Sequence, residues 1–257
     1  MLRFLELFRM DSKWYIDINC DVGEGVGNEA RIFPYISSCN IACGGHAGDE
    51  HIMEEGVGLA ISYGIKIGAH PSYPDREHFG RQTLDMPEDD FRDTLREQLD
   101  ALGGVLDKMG ARMHHIKAHG ALYNDLAQNP ALAGVYLDCV ASYKPRVRLL
   151  VPYGSVMATL ARKAGFGILY EAFADRAYGD QYQLVPRGRP GALIEAPEAV
   201  AEHLIRMVKT QQVKTQAGAL LPIRADTFCI HGDTPSALQI LMYLAEDLPR
   251  HGIYLKK

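Results

Sequence analysis

Seven short apolar or β-branched runs, each bounded by Gly, Pro or Asn, recur along this chain, at residues 14–20, 38–43, 65–70, 115–119, 147–151, 167–173 and 227–231. Runs of that length and punctuation read as strands. Most are separated by stretches with helical spacing, at 50–63, 130–143, 155–163, 197–209 and 235–248. The clearest helix carries Phe91, Leu95, Leu99, Leu102, Leu106 and Met109, which step by three or four and share one face. Its punctuation is good: Asp85 and Glu88 are spaced as a capping box, Pro87 suits a first turn, and Gly110 suits a stop. Strands alternating with helices predict an α/β chain with a parallel sheet, either a closed barrel or an open doubly wound sheet. No linker, charge block or internal repeat divides the 257 residues, so a single domain over 14–257 is expected.

The polar residues choose between the two architectures. A barrel draws its functional groups from the carboxyl ends of many strands, whereas an open sheet gathers them at one crevice. Here they are spread widely. The first strand ends in Asp17, Asn19 and Asp21, which the period of two puts on one face, followed by Glu24. Later strands run into His46 and Asp49, into His70, into Lys117, His119 and Tyr123, into Glu171, Asp175 and Arg176, and into His231 and Asp233. Polar loops alone explain many of these, and Asp49 and Thr234 each stand where a helix cap is expected. Histidine is different, because caps and turns select Asp, Asn, Ser and Gly. Four of the ten histidines, His46, His70, His119 and His231, sit at strand ends beside carboxylates. A ring of Asp21, Glu24, His46, Asp49, His70, His119 and His231 suits proton transfer. Lys117, Arg176 and Arg187 suit an anion, and Asn19, Tyr123, Asp175 and Asp233 complete the expected substrate contacts. Such a set can also hold a divalent metal, with Asp21, His46 and His70 as candidates, although ligands from different strands have no fixed spacing. His114 and His115 point to opposite faces of the fourth strand, so at most one faces the centre.

Charge and cysteine content narrow the function classes. Twenty-seven basic against 32 acidic residues give a net charge of −5, which provides no footprint for nucleic acid. Five cysteines with no C-x-x-C pair fit neither a disulfide framework nor a zinc knuckle, and point to a reducing cytoplasm. The apolar stretch at 1–10 is interrupted by Glu6 and Arg9 and is too short to span a bilayer. It reads as a short appended helix, or as an upstream start with Met10 as the alternative, within an extension over 1–13; no membrane partner is expected. Gly23, Gly25 and Gly27 follow a strand but match neither the dinucleotide fingerprint nor the P-loop. Cys43 reads as a small core residue sooner than as a nucleophile.

The same residues lie in blocks that resemble the LamB/YcsF family. These are DINCDVGE at 17–24, NIACGGHAGD at 40–49, IGAHPSYPDREHFGR at 67–81, KAHGALYN at 117–124, EAFADRAY at 171–178, LVPRGRPGALI at 184–194 and CIHGD at 229–233. Ala118 departs from the KPHG that the family usually carries. The resemblance implies a single-domain variant (β/α) TIM-like barrel of the glycoside hydrolase/deacetylase type. It also implies ATP-dependent opening of 5-oxoproline to glutamate together with 5-oxoprolinase subunits B and C, with ATP and Mg²⁺ used by this chain or by those partners. On that reading the acids and histidines named above carry protons, while Lys117, Arg176 and Arg187 hold the substrate carboxylate or a phosphoryl group. The alternatives are a metal-dependent amidohydrolase or carbohydrate deacetylase, and a non-catalytic protein that captures a small anion.

Overall fold

The computed structural model describes residues 13–234 and 236–256. The appended helix or alternative start expected in residues 1–10 lies outside the described residues. Six strands, β1 (Trp14–Val22), β2 (Ser38–Ala42), β3 (Lys66–His70), β4 (Met113–Ile116), β5 (Arg148–Pro152) and β6 (Ile168–Phe173), pair in sequence order, all parallel. A short antiparallel hairpin, β7 (Gln212–Lys214) with β8 (Leu220–Pro222), stands apart. The next strand, β9 (Thr227–Cys229), pairs with β6 on one side and β1 on the other. That double pairing closes a seven-stranded parallel barrel and rules out the open sheet. The last strand, β10 (Ile253–Leu255), adds in parallel beside the first residues of β1.

Helices lie between the strands because each strand alternates its faces. On β1, Ile16, Ile18, Cys20 and Val22 are buried under the helical layer, while Asp17, Asn19 and Asp21 turn into the barrel. The long helix Glu88–Met109 buries Phe91, Leu95, Leu99 and Leu102, each worth roughly 1.5–3 kcal/mol when removed from water. Gly110, at φ 67°, ends it with backbone bonds to Leu106 and Asp107. The expected capping box does not form. Pro87 occupies the cap position without a side-chain bond, so Glu88, Asp89 and Asp90 meet the positive end of the helix dipole instead.

The barrel interior is polar. Asp17 accepts from Ser38 (2.6 Å), Thr227 (2.7 Å) and Lys66 (2.9 Å), and Asn19 donates to Thr227 (2.8 Å). Asn40 donates to Asn19 (2.8 Å) and Asp21 (2.7 Å) and accepts from His115 Nε2 (2.7 Å). Buried polar groups cost several kcal/mol unless bonded, so this ladder is what lets the inward face of β1 be acidic. Of the histidine pair on β4, His115 is the one that faces inward, and it fits only because Gly68 opposite has no side chain. A Cβ there would lie 2.2 Å from His115 Nε2.

Three features escaped the sequence reading. β7, β8 and β10 have three residues each, too few for a periodic signal. β4 ends at Ile116, not at 119, because His119 already caps the unforeseen helix Gly120–Gln128. Thr234 does not cap the helix Ala237–Asp247, whose cap position is Ser236; its hydroxyl donates to Asp175 at 3.3 Å.

Candidate active site

The carboxyl ends of the strands open into a cavity of about 780 Å³, within the range of ligand pockets. Its floor carries Asp21, His70, Lys117, His119, Glu171 and His231, and its wall carries Arg81, Arg176, Arg187 and Arg189.

Lys117 is the centre of the floor. Its Nζ lies 2.9 Å from Asp21 Oδ1 and 2.9 Å from Glu171 Oε1, and 3.2 Å from the Cys229 sulfur. Burial works against its charge, but Asp21, Cys229 and Glu171 outweigh it and raise the ammonium well above its usual range. Asp21 is the converse: burial raises its carboxyl, yet His70 and Lys117 hold it well below the usual range. Glu171 is buried, and no donor is aligned on either of its oxygens. The Tyr123 hydroxyl is likewise without a partner, and its pKa is raised by burial and by Glu171. Glu171, whose contact is the Lys117 ammonium, and Tyr123 both line the cavity. A buried polar group left unpaired in the protein is available to a ligand.

Beside this floor three imidazoles surround Glu24. Its Oε1 is 3.0 Å from His46 Nε2, 3.3 Å from His119 Nδ1 and 3.9 Å from His70 Nε2. Burial raises the Glu24 carboxyl, but the imidazoles of His119 and His46 beside it bring it far below its usual value. Burial lowers His46 to about 4 against the pull of Glu24, and burial also moves His119 downward. The rings of His46 and His119 stack in parallel with centroids 3.6 Å apart. Gly80 permits this: a Cβ there would meet His119 at 2.9 Å and His46 at 3.0 Å. Neighbouring Phe79 has φ 57°, a left-handed conformation costly for a bulky residue, and its carbonyl meets His119 Nε2 at 2.9 Å.

On the opposite side Asp175 receives the backbone N–H of His231 (2.9 Å) and its Nδ1–H (3.0 Å). The dyad fixes the ring and leaves Nε2 free to exchange a proton. Burial raises the Asp175 carboxyl, but His231 more than compensates and it ends lowered. Arg176 is buried, donates to the Val185 carbonyl at 2.7 Å, and has an unpartnered Nε. Burial, then Arg187, lowers it only to about 10, so it stays a cation at neutral pH.

Most of the expected site residues therefore meet, but several in other roles. Asp49 is exposed and caps the helix Glu50–Tyr63 by accepting from Ile52 at 2.9 Å, so it is not one of the acids of the cavity. Asn19 is sealed inside the barrel and Asp175 behind His231, and neither lines the cavity. Asp233 pairs with Arg187 (3.3 Å) and Arg81, holding two wall arginines in place. His46 is buried beneath His119 and off the cavity wall. Of the metal candidates Asp21, His46 and His70, Asp21 has its Oδ1 taken by Lys117 and Asn40. The grouping the structure makes is Glu24, His46, His70 and His119. Cys43 is a core residue whose thiol burial pushes up to about 12. Sequence reasoning missed Glu171, Arg81 and Arg189 as site residues. Glu171 was within reach: it shares strand parity with Phe173, and a carboxylate inside a strand is a signal. The arginines sit on loops without period.

The LamB/YcsF family profile matches residues 16–257. A protein from Neisseria meningitidis serogroup A, named as the A subunit of 5-oxoprolinase, is 39% identical over 238 residues, covering 93% of this chain and 97% of the relative. One of the same name from serogroup C is 38% identical over the same length. The crystal structure of a lactam utilization protein from Thermus thermophilus superposes with a TM-score of 0.87 at 36% identity, covering 94% of this chain and 99% of that one.

Proposed function

The chain belongs to the LamB/YcsF family, and from that premise we propose that it is the lactam-opening component of a 5-oxoprolinase, converting 5-oxo-L-proline to L-glutamate once partner subunits and ATP have activated the ring. The observation that carries this reading is the pairing within one cavity of an arginine wall with a floor where Lys117 lies between two carboxylates. A small anion that carries a reactive carbonyl as well as a carboxylate suits that arrangement. Arg176, with its unpartnered Nε, binds the carboxylate with help from Arg187, and the ring carbonyl lies over Lys117.

The chemistry follows from what each group can do. Glu171 takes a proton from water, and the hydroxide adds to the ring carbonyl. Lys117 meets the charge that develops on the carbonyl oxygen, as a fixed donor in a water-poor site. As the ring C–N bond breaks, His231, held by Asp175, gives the nitrogen its proton. A lactam amide is resonance-stabilised, and its ring favours reclosure because both ends stay tethered. Prior transfer of a phosphoryl group from ATP·Mg²⁺ to the carbonyl oxygen breaks that resonance. Water addition and C–N cleavage then give γ-glutamyl phosphate, and a second water releases glutamate and inorganic phosphate, which opposes reclosure. The chain carries no Walker lysine pattern, which supports placing ATP use on the partners, subunits B and C. The cavity has room for a phosphorylated lactam. The free cysteines suit the cytoplasm, and no helix among the described residues is long and apolar enough to cross a membrane.

The test is glutamate release from 5-oxoproline by the purified chain alone, with both partners, and with ATP withheld. We expect turnover only when partners, ATP and Mg²⁺ are all present. Robust turnover by the chain alone, without ATP, contradicts the proposal and favours a self-sufficient amidohydrolase.

A further inference from the structure

The histidines around Glu24 are held in tautomers that leave no proton where they converge. His70 Nδ1 lies 2.8 Å from the Lys117 carbonyl and His119 Nε2 lies 2.9 Å from the Phe79 carbonyl. A carbonyl only accepts, so each of these nitrogens carries the ring N–H. The other nitrogens, His70 Nε2 and His119 Nδ1, therefore present lone pairs, and they face each other at 3.0 Å. Glu24 Oε1 lies 3.9 and 3.3 Å from them, and Asp21 Oδ2 lies 3.4 Å from His70 Nε2. Three acceptors, Glu24 Oε1, His70 Nε2 and His119 Nδ1, thus meet at one buried spot, with Asp21 Oδ2 beside His70. Acceptors so placed repel unless something positive lies among them.

We propose that Glu24 Oε1, His70 Nε2 and His119 Nδ1 hold a divalent transition-metal ion, with its fourth position open to the cavity. Their separations of 3.0, 3.3 and 3.9 Å bracket the roughly 3.4 Å edge of a tetrahedron of ligands about 2.1 Å from zinc. Two histidines and one carboxylate with an open position is a ligand set for zinc or a metal of similar preference. Ring N–H groups donating to backbone carbonyls are the support such ligands normally have.

His46 is not a ligand in this arrangement. Its ring is parallel to that of His119 within 3° and 3.6 Å away, so no ion can lie in both ring planes. It donates to Glu24 instead, at 3.0 Å, and so steadies the carboxylate. The charge balance supports a dication as well. Asp21, Glu24 and Glu171 against Lys117 give +1 − 3 = −2 for the floor and the Glu24 cluster beside it. The other potential cluster, Asp21, Cys229 and His231, is unsuited, because the Lys117 ammonium is in contact with both Asp21 and Cys229. His70 and His119 line the cavity, so an ion there would offer Lewis-acid polarisation to whatever the cavity binds. The inference is independent of which substrate that is.

The experiment is a Co²⁺ titration of the chelator-treated full chain, read by visible absorption without any substrate. We expect ligand-field bands that saturate at one equivalent. Glu24→Gln and His119→Gln should each weaken binding at least 10-fold, and His46→Phe about 10–100-fold as a supporting residue. His114→Gln, outside the cluster, should leave binding unchanged. Absence of a saturable band in the folded wild-type chain overturns the proposal and leaves a proton shared between His70 and His119 as the positive charge. A band unaffected by Glu24→Gln and His119→Gln in folded variants overturns it equally, since the ion would then lie elsewhere.

Discussion

A single ammonium organises the floor of this cavity. Lys117 is buried at the foot of the cavity and keeps its proton chiefly because Asp21 and Glu171 flank it at 2.9 Å on either side. The two acids are not equivalent. Asp21 is committed to Lys117 and Asn40, whereas Glu171 has no aligned hydrogen bond beyond its ion pair with Lys117 among the described residues, which supports assigning the proposed proton-accepting role to Glu171. Asp21 instead keeps Lys117 in place and in register with the cavity. Replacing Asp21 by Asn preserves shape and removes charge, so it separates catalysis from mere capture of an anion. In the complete complex we expect the half-saturating 5-oxoproline concentration to change by less than about 3-fold and kcat to fall by roughly 10²-fold or more. Equal losses in both would mean that the chain binds without reacting.

At the scale of strands and helices, the alternation of β1 to β6 with helices is a matter of local periodicity, and it was legible at once. The inward parity of Asp17, Asn19 and Asp21 was legible for the same reason. Closure was legible only indirectly, from functional residues spread over many strand ends and from the family resemblance, because the pairing itself depends on β9, three residues long, finding both β1 and β6 across the barrel. The histidines stood out by type, since nothing about a turn selects imidazole, but their partners are distant in sequence. Asp175 and His231 are 56 residues apart. Asp49 shows the limit clearly: a carboxylate ahead of a helix looks the same whether it caps or catalyses, and only the bond to Ile52 decides. The polar interior also has a cost that can be measured. His115 on β4 and His203 on the helix Pro197–Thr210 are buried, and burial lowers them to about 3 and about 4. In the unfolded chain both titrate near 6.5. Their depressed folded values mean that the unfolded chain binds more protons between about pH 6.5 and 4. Stability from these two groups is therefore complete above pH 6.5 and is lost as pH falls, by about 2–3 kcal/mol per unit at the steepest. Asp17, whose burial is outweighed by bonds from Ser38 and Lys66 so that its carboxyl is lowered, adds a further loss only below about pH 4. Denaturant midpoints across pH 4–8 should fall steadily below 6.5, and His203→Gln should flatten part of that slope. A flat profile down to pH 4 would mean that neither histidine is buried neutral.

For the whole molecule, the barrel supplies a fixed frame and the loops supply the reagents. The excursion between β6 and β9 brings Arg176, Arg187 and Arg189 over the mouth, and the loop after β3 brings Arg81 to the Asp233 carboxylate that also holds Arg187. On the proposed reading, anion recognition and bond cleavage are built by different stretches of one chain, and activation of the ring falls to other subunits. That division is open to a direct measurement. In a reconstituted complex with 5-oxoproline, ATP and Mg²⁺, glutamate release and ATP consumption would be followed together, with this chain either wild type or carrying Glu171→Gln. We expect the substitution to cut glutamate release by roughly 10²–10⁴-fold, the range for loss of a general base, while ATP consumption continues. Glutamate release at the wild-type rate from the Glu171→Gln complex would contradict the assignment of lactam opening to this cavity.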